Sequence, residues 1–163
     1  KVGRWKIGND LTDFEIKVEE QQGGQDIVIR HNGEIVYYIE VKSRWDNRNS
    51  ITMSPLQMKK AVENQSKYSL CCVEMSDYKV GEKDRYNVSD INEILDRISI
   101  LSDIGRKIEP ILTGILAVKD TENQISIAGD YRGVIPQQIV KQGDNITNFV
   151  NYLIEKILRW ITE

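Results

Sequence analysis

The sequence predicts an α/β protein with a mixed central sheet, and three observations lead to this class. Residues 13–19 alternate polar and apolar side chains, which is typical of a half-buried strand. Two further strand-like segments meet at Asn32 and Gly33, a pair that favours a β-hairpin. A helix signal at Ser54 is followed by an apolar strand at 68–75. The first half therefore has the order β-β-β-α-β, and its last strand is expected to be buried on both faces.

Length and composition are those of a globular protein. The chain has 163 residues, 40% of them hydrophobic, and a formal net charge of −3, which suits one domain or a domain with an appendage. Its apolar runs fall well short of the ~20 residues that span a membrane, so no membrane contact is expected. A nonspecific duplex binder usually has a basic surface, so the net acidity argues against tight nucleic-acid binding outside a local basic groove.

The two cysteines and the start of the sequence bear on location and context. Cys71 and Cys72 are adjacent in an apolar run, and we interpret them as reduced core residues of a protein in a reducing compartment, the cytoplasm. The sequence begins at Lys1, which we interpret as the start of a fragment of a larger multidomain protein.

The elements of the first half follow from local signals. The hairpin strands are predicted at 26–30 and 34–42. The next helix begins with Ser54 as its N-cap and Pro55 at its first position, with Gln57 three residues after the cap. This order is a capping box, and the helix is predicted to run to about residue 65.

The second half is predicted as an α/β elaboration. A charged loop at 77–87 suggests a boundary, so we divide the chain into a core at 1–78 and an elaboration or small subdomain at 79–163. Apolar spacing predicts a helix at 91–101 and an amphipathic final helix from residue 144 or 145. Further elements are predicted as strands at 113–118 and 124–128 and as an extended segment at 131–140, where Pro136 argues against a central strand.

The register of the hairpin decides whether three functional side chains share a face. A two-residue turn would pair Asp26 with Ile39 and would point Glu40 and Lys42 to the opposite face. A three-residue loop ending at Gly33 pairs Asp26 with Tyr38 instead and separates apolar from polar residues. The predicted apolar face is Ile27, Ile29, Ile35, Tyr37, Ile39 and Val41, and the other face is Asp26, Val28, Arg30, Glu34, Val36, Tyr38, Glu40 and Lys42. Hydrophobic segregation favours the three-residue loop.

Two acids and a lysine on one face suit metal-dependent phosphodiester hydrolysis. Asp26 and Glu40 would be diagonal neighbours at roughly 7–8 Å, close enough to hold Mg²⁺ or Mn²⁺ together with the Val41 carbonyl. Lys42 would orient the attacking water or stabilise developing charge. Glu15 or Glu19 on the preceding strand offers a further acid. The alternative is a solvated strand face whose cross-strand charges contribute little.

These residues also resemble a known family. The matching segments are Gln25-Asp26-Ile27-Val28-Ile29, Tyr38-Ile39-Glu40-Val41-Lys42-Ser43, Ile51-Thr52-Met53-Ser54 with Gln57 and Ala61, and Tyr68-Ser69-Leu70-Cys71-Cys72-Val73. Over about residues 13–76 they resemble the PD-(D/E)XK nuclease superfamily, and more closely the NO VEIN carboxy-terminal domain family, a nuclease-like module. The resemblance implies a restriction-endonuclease-like core, with Asp26 and Glu40 as metal ligands and Lys42 as the catalytic lysine.

The resemblance also shows departures. Gln57 stands where the family often has an acid on the helix, so it is either auxiliary to the site or only a capping residue. Members usually have a helix with an acid before the first strand, and residues 1–12 carry no such helical pattern. Such domains often end large multidomain proteins, which agrees with the interpretation of the chain as a fragment.

Several basic and aromatic residues are candidates for nucleic-acid binding. Arg44, Trp45 and Arg48 follow the metal strand directly, where they would contact a phosphate backbone or stack on a base. Lys59 and Lys60 on the helix are further candidates, and the loop adds Lys79, Lys83 and Arg85. The alternative is an ordinary polar loop and a solvated helix face. His31 is interpreted as a surface turn residue.

The sequence thus predicts an Mg²⁺-dependent endonuclease acting on DNA or RNA as a module of a larger protein. The alternative is a catalytically inactive nuclease-like domain for recognition or assembly. The final helix is expected to serve core packing or a homodimer surface.

Overall fold

The computed structural model describes residues 3–7, 10–14, 16–46, 50–119 and 132–162. In these ranges the strands are β1 Gly3–Ile7, β2 Asp10–Phe14, β3 Ile16–Glu20, β4 Ile27–His31, β5 Glu34–Arg44, β6 Ser50–Met53, β7 Tyr68–Glu74, β8 Ile98–Ser102 and β9 Gly133–Pro136. The helices are α1 Pro55–Asn64, α2 Ile104–Lys119, α3 Gln137–Val140 and α4 Ile146–Thr162, with short 3₁₀ turns at Gln65–Lys67 and Ile91–Arg97. The fold class is α/β, as predicted.

A five-stranded mixed sheet organises these elements in the order β3-β4-β5-β7-β8. Strands β3, β4 and β5 form an antiparallel meander. Strand β7 runs parallel to β5 after the crossover through α1, and β8 returns antiparallel to β7. Two separate two-stranded ribbons, β1-β2 and β6-β9, complete the described strands. The β-β-β-α-β order predicted for the first half corresponds to β3, β4, β5, α1 and β7.

Apolar layers cover both faces of this sheet, because side chains on neighbouring strand positions point to opposite sides. One core packs α1 and α2 against β7 and includes Met58, Ala61, Tyr68, Leu70 and Ile104. The other core packs α4 against β4, β5 and β8 and includes Ile29, Tyr37, Ile100, Phe149 and Ile157. Strand β7 is therefore buried on both faces, as its apolar sequence predicts.

The turn between β4 and β5 differs from the predicted three-residue loop. Asn32 and Gly33 both have positive φ, 49° and 85°, as a two-residue type I′ turn requires. His31 consequently pairs with Glu34. The physical reason is that the Asn-Gly pair adopts this turn at little steric cost, so the segregation of apolar residues does not have to be achieved at the turn itself.

A β-bulge in β5 achieves that segregation instead. Arg30 pairs with Ile35 whereas Ile29 pairs with Tyr37, so Val36 is an extra residue on its strand. Val36 packs with the apolar cluster beneath α4. The predicted faces of Glu34, Ile35 and Val36 are therefore wrong, since the bulge moves each of them to the opposite face. Beyond the bulge the facing of every β5 residue agrees with the prediction.

The strand predicted at 13–19 is divided in the structure. Strand β2 ends at Phe14 and pairs with β1 in a hairpin of its own, whereas β3 begins at Ile16. Residues 3–7 and 10–14 are thus strands, which agrees with the lack of a helical pattern in residues 1–12. Val18 pairs with Ile29 and faces the α4 side, but it remains 55% exposed because β3 is the edge strand.

Two predictions in the second half are wrong. The segment 91–101 is a short 3₁₀ turn followed by β8, because its β-branched end completes the sheet beside β7. The segment 113–118 is the end of α2 and not a strand, since burial of Ile104, Ile108 and Leu112 on one helix face outweighs β propensity.

The remaining elements of the second half agree in part with the predictions. The predicted strand at 124–128 lies outside the described residues. Pro136 ends β9 in a two-stranded ribbon outside the central sheet, and α3 follows where extended chain was expected. The final helix begins at Ile146, and the Asn145 side chain accepts a hydrogen bond from the Asn148 N–H at its start. None of the helices among the described residues is long and apolar enough to cross a membrane.

Candidate metal and catalytic site

The candidate site lies at the start of β4 and beside the second half of β5, which is the strand between β4 and β7. Val28 pairs with Tyr38 and Ile27 with Ile39, and continuing this register by one step brings Asp26 beside Glu40. The Asp26 N–H donates to the Ile39 carbonyl at 3.0 Å. Asp26, Glu40 and Lys42 therefore share the sheet face that packs against α1, by way of the bulge and not by way of a three-residue loop.

Glu40 is the buried member of the site, with 1% of the residue exposed. Its Oε1 atom lies 2.8 Å from the Lys42 ammonium and also accepts a hydrogen bond from the Gln57 amide. Its Oε2 atom is buried and has no hydrogen-bond partner among the described residues. A buried carboxylate oxygen without a partner is costly, so this atom is the clearest candidate in the site for contact with a ligand.

Burial raises the pKa of Glu40 above its ordinary value. The Lys42 ammonium acts in the opposite direction through its hydrogen bond and its charge, and the Asp26 carboxylate raises the pKa further by repulsion. A bound cation would offset the burial and the repulsion that disfavour the ionised form of Glu40. The electrostatics of the pair thus favour occupation by positive charge.

Asp26 is the exposed member and is held by the backbone of β5. Its Oδ2 atom accepts a hydrogen bond of 2.8 Å from the Val41 N–H. Because the N–H and C=O of one strand residue point to the same side, the Val41 carbonyl also faces the Asp26 side of the strand. Asp26 and Val41 line a shallow depression with Glu20, Gln21, Gln22 and Ile27.

The oxygen atoms of the candidate site form a donor set for a divalent cation. Among the described residues no group of three or more His, Cys, Asp and Glu side chains could hold a metal ion. A hard cation would instead take the unpartnered Glu40 Oε2, the second Asp26 oxygen and the Val41 carbonyl, with water completing its shell, a donor set that suits Mg²⁺. Glu15, predicted as a further acid, lies outside the described residues.

Gln57 serves as both a capping residue and a contact of the candidate site. Ser54 accepts a hydrogen bond from the Gln57 N–H, and the Gln57 Oε1 accepts one from the Ser54 N–H at 2.8 Å. The Gln57 Nε2 group of the same side chain donates to Glu40. The sequence left these two roles as alternatives, and the geometry combines them because an amide has both a donor and an acceptor.

The predicted nucleic-acid-binding residues are distributed unevenly around the site. Arg44 forms an ion pair with Glu74, which ties its charge to the end of β7. Lys60 lies over the Tyr38 ring at 4.9 Å, whereas Lys59 is 69% exposed and faces Glu63 across one helical turn. Arg48 lies outside the described residues.

Trp45 lies close to Lys42, the lysine of the candidate site, in a groove that both residues line. Lys42 and Trp45 both line this groove, whose volume is about 330 Å³. The indole Nε1 of Trp45 donates to Ser43 at 2.9 Å, and its ring lies 4.8 Å from that of Tyr86. Sequence reasoning missed Tyr86. The signal that could have identified it is an aromatic residue directly after Arg85 in a loop already noted for its basic residues.

Comparison with known proteins gives one match. A family model described as "Protein NO VEIN, C-terminal" matches residues 4–87, just over half of the chain. The matched segment contains the hairpin, the candidate site, α1, β7 and the loop that carries Tyr86. No curated protein and no solved structure gives a significant match.

Proposed function

The chain belongs to the NO VEIN C-terminal family, and we propose that it is one domain of a larger protein and that this domain hydrolyses phosphodiester bonds in nucleic acid with the help of Mg²⁺ or Mn²⁺. The family is described as a carboxy-terminal region, which agrees with a domain of a larger protein. The observation that carries the proposal is the buried Glu40 Oε2 atom, which has no hydrogen-bond partner among the described residues. It belongs to a carboxylate that lies beside Asp26 and contacts Lys42 through Oε1.

The proposed roles follow from the position of each side chain. Glu40 and Asp26, with the Val41 carbonyl, would hold the cation. When bound, such a cation activates water and neutralises charge on the phosphate oxygens. Gln57 donates to Glu40 Oε1, so Oε2 is the oxygen without a partner among the described residues. The Val41 N–H fixes one Asp26 oxygen and leaves the other for binding.

Lys42 has a separate role in the proposal. In this structure its ammonium lies 2.8 Å from Glu40 Oε1 and its side chain is 28% exposed. A cation bound by Glu40 would compete with the ammonium for the carboxylate, and the lysine would then be available to the phosphate in the adjoining groove. There it would orient the attacking water or stabilise the developing negative charge.

A second function is favoured by one observation. An amide, Gln57, meets Glu40 from the helix, so the described part of the site offers two carboxylates to a cation. A nuclease-like domain that has retained the fold for recognition or assembly would show this pattern. Metal-dependent cleavage is expected of the nuclease and not of the recognition or assembly domain, so it distinguishes the two functions.

The test is cleavage of a supercoiled plasmid and of labelled single strands in Mg²⁺ or Mn²⁺. We expect cleavage by the unaltered chain, its loss in excess chelator, and a decrease of about 100-fold or more in Lys42→Ala. The matched control is Lys107→Ala, which removes an exposed lysine of α2 and should leave cleavage unchanged. If the chain cuts none of these substrates, the domain is a recognition or assembly module. If Lys42→Ala cuts as fast as Lys107→Ala, the role proposed for Lys42 is wrong.

A further inference from the structure

A cluster formed by Trp45, Arg85 and Tyr86 adjoins the groove of Lys42, because Trp45 lines that groove as well. The two aromatic rings are tilted by 52° at 4.8 Å between centroids. The Arg85 guanidinium lies over both of them, at 5.6 Å from the Trp45 ring and 5.4 Å from the Tyr86 ring. Two rings and a guanidinium joined in this way present an aromatic, positively charged surface.

Tyr86 is the exposed member of the cluster, whereas Trp45 and Arg85 are half-buried. Trp45 packs partly against the small core of Met75, Tyr78 and Ile94, and this packing explains the position of its indole ring. Tyr86 is 70% exposed, so its ring contributes little to that core. An aromatic ring held at the surface beside a second ring is a common feature of sites that recognise planar ligands.

The charge of the cluster is available to an anionic partner. Arg85 donates only to the Met75 and Ser76 carbonyls, at 3.3 and 3.4 Å. It forms no ion pair among the residues that the structure describes, and its Nε atom is buried there without a partner. Arg44, by contrast, is neutralised by Glu74. A planar ligand with a negative charge therefore complements this surface.

We propose that Trp45, Arg85 and Tyr86 form a stacking platform for unpaired bases, and that the substrate guided to Lys42 is single-stranded nucleic acid. This deepens the proposed function and rests on it. Bases inside a duplex are already stacked and cannot lie on exposed rings, whereas every unpaired base offers a face to them. Trp45 follows Lys42 by three residues, roughly 10 Å along an extended chain, so a base on the platform holds a neighbouring phosphate near the lysine.

The test is fluorescence anisotropy of labelled oligothymidylate, oligouridylate and a blunt duplex, measured in chelator so that cleavage plays no part. The chain should bind both single strands more tightly than the duplex. Tyr86→Ala should weaken single-strand binding about tenfold, since stacking contributes ~1–3 kcal/mol per base, while Tyr86→Phe should bind as the unaltered chain does. Val80→Ala, at a 66% exposed position of the same loop, is the matched control.

Three results would overturn the inference: no binding of either single strand, equal affinity for the duplex, or equal binding by Tyr86→Ala and Val80→Ala. Since Tyr86 is exposed, its truncation should not alter the unfolding curve, and this is measured alongside. Metal-dependent cleavage without single-strand preference would refute the platform and leave the proposed function standing. Single-strand binding without cleavage would refute the proposed hydrolysis and leave the platform standing.

Discussion

Glu40 is the single residue on which the proposed metal site depends most. It is an acid with 1% exposure on a sheet face whose other members pack against α1. One of its oxygens has two donors and the other has none in the described part of the chain. A side chain placed only for stability would be better matched, because a buried charge costs more than a buried amide. Glu40 is therefore the residue whose presence most requires a functional explanation.

Replacing this acid by its amide should stabilise the metal-free protein. Burial raises the pKa of Glu40, so the group stabilises the fold below its ordinary pKa, and this contribution is lost as the pH rises through the raised value. Glu40→Gln removes the pH-dependent cost. We expect the variant to be about 1 kcal/mol more stable at pH 7, with the gain vanishing near pH 4. Urea unfolding followed by circular dichroism, in chelator, measures both values.

The control for this prediction is Glu34→Gln, which neutralises an exposed acid of the same hairpin and should change stability little at either pH. A Glu40→Gln variant that is less stable than the unaltered chain at pH 7 would mean that Lys42 and Gln57 fully compensate the buried carboxylate. The free-energy cost attributed to the burial of the Glu40 carboxylate would then be absent.

For helices and strands, local sequence signals predicted the individual elements better than they predicted which strands pair. The capping box at Ser54 and the amphipathic pattern of α4 depend on nearby residues, and both are present in the structure. The segment 91–101 depends on a distant strand, because β8 is defined by pairing with β7. Apolar spacing is ambiguous for such short segments, so the sequence alone indicated a helix there.

The hairpin shows how a prediction of facing can survive an error of register. Apolar segregation correctly required Asp26, Glu40 and Lys42 to share a face. The Asn-Gly turn favoured a different local pairing, and a bulge at Val36 reconciles the two. No rule of turn chemistry placed the extra residue in the strand, so its position could not be derived from the sequence.

A close contact between α1 and α2 gives a prediction at this scale. A Cβ atom on Gly105 would lie 2.0 Å from the Ala61 carbonyl oxygen. Gly105→Ala should therefore push the helices apart and lower the free energy of unfolding by about 2 kcal/mol. Gly114 lies in the same helix with nothing within 4 Å of its added Cβ, and Gly114→Ala should stabilise the protein by about 0.5 kcal/mol.

Denaturant unfolding of the two glycine variants side by side checks this prediction. Equal stabilities would show that α1 and α2 do not pack at the distance described. The comparison holds helix propensity constant, since both substitutions exchange glycine for alanine within α2, and it therefore isolates the contact between the helices.

At the scale of the whole molecule, net charge and local charge differ in what they indicate. The chain is acidic overall, at −3, and its acids are used in pairs such as Glu74 with Arg44 and Glu93 with Lys79. The lysine of the candidate site and Arg85 open onto one region at the end of β5. Composition could predict the overall balance, but only the fold brings the loop at 77–87 next to the strand that carries Lys42.

The central claim is that Asp26 and Glu40 hold one divalent cation. Calorimetric titration of the metal-free chain with millimolar Mn²⁺ tests it most directly. We predict a single weak site, absent in both Asp26→Asn and Glu40→Gln and retained in Glu34→Gln. Asparagine preserves the acceptor for the Val41 N–H and removes only the charge, so the fold is kept. Heat of binding that persists in Asp26→Asn, or its absence in the unaltered chain, would contradict the claim.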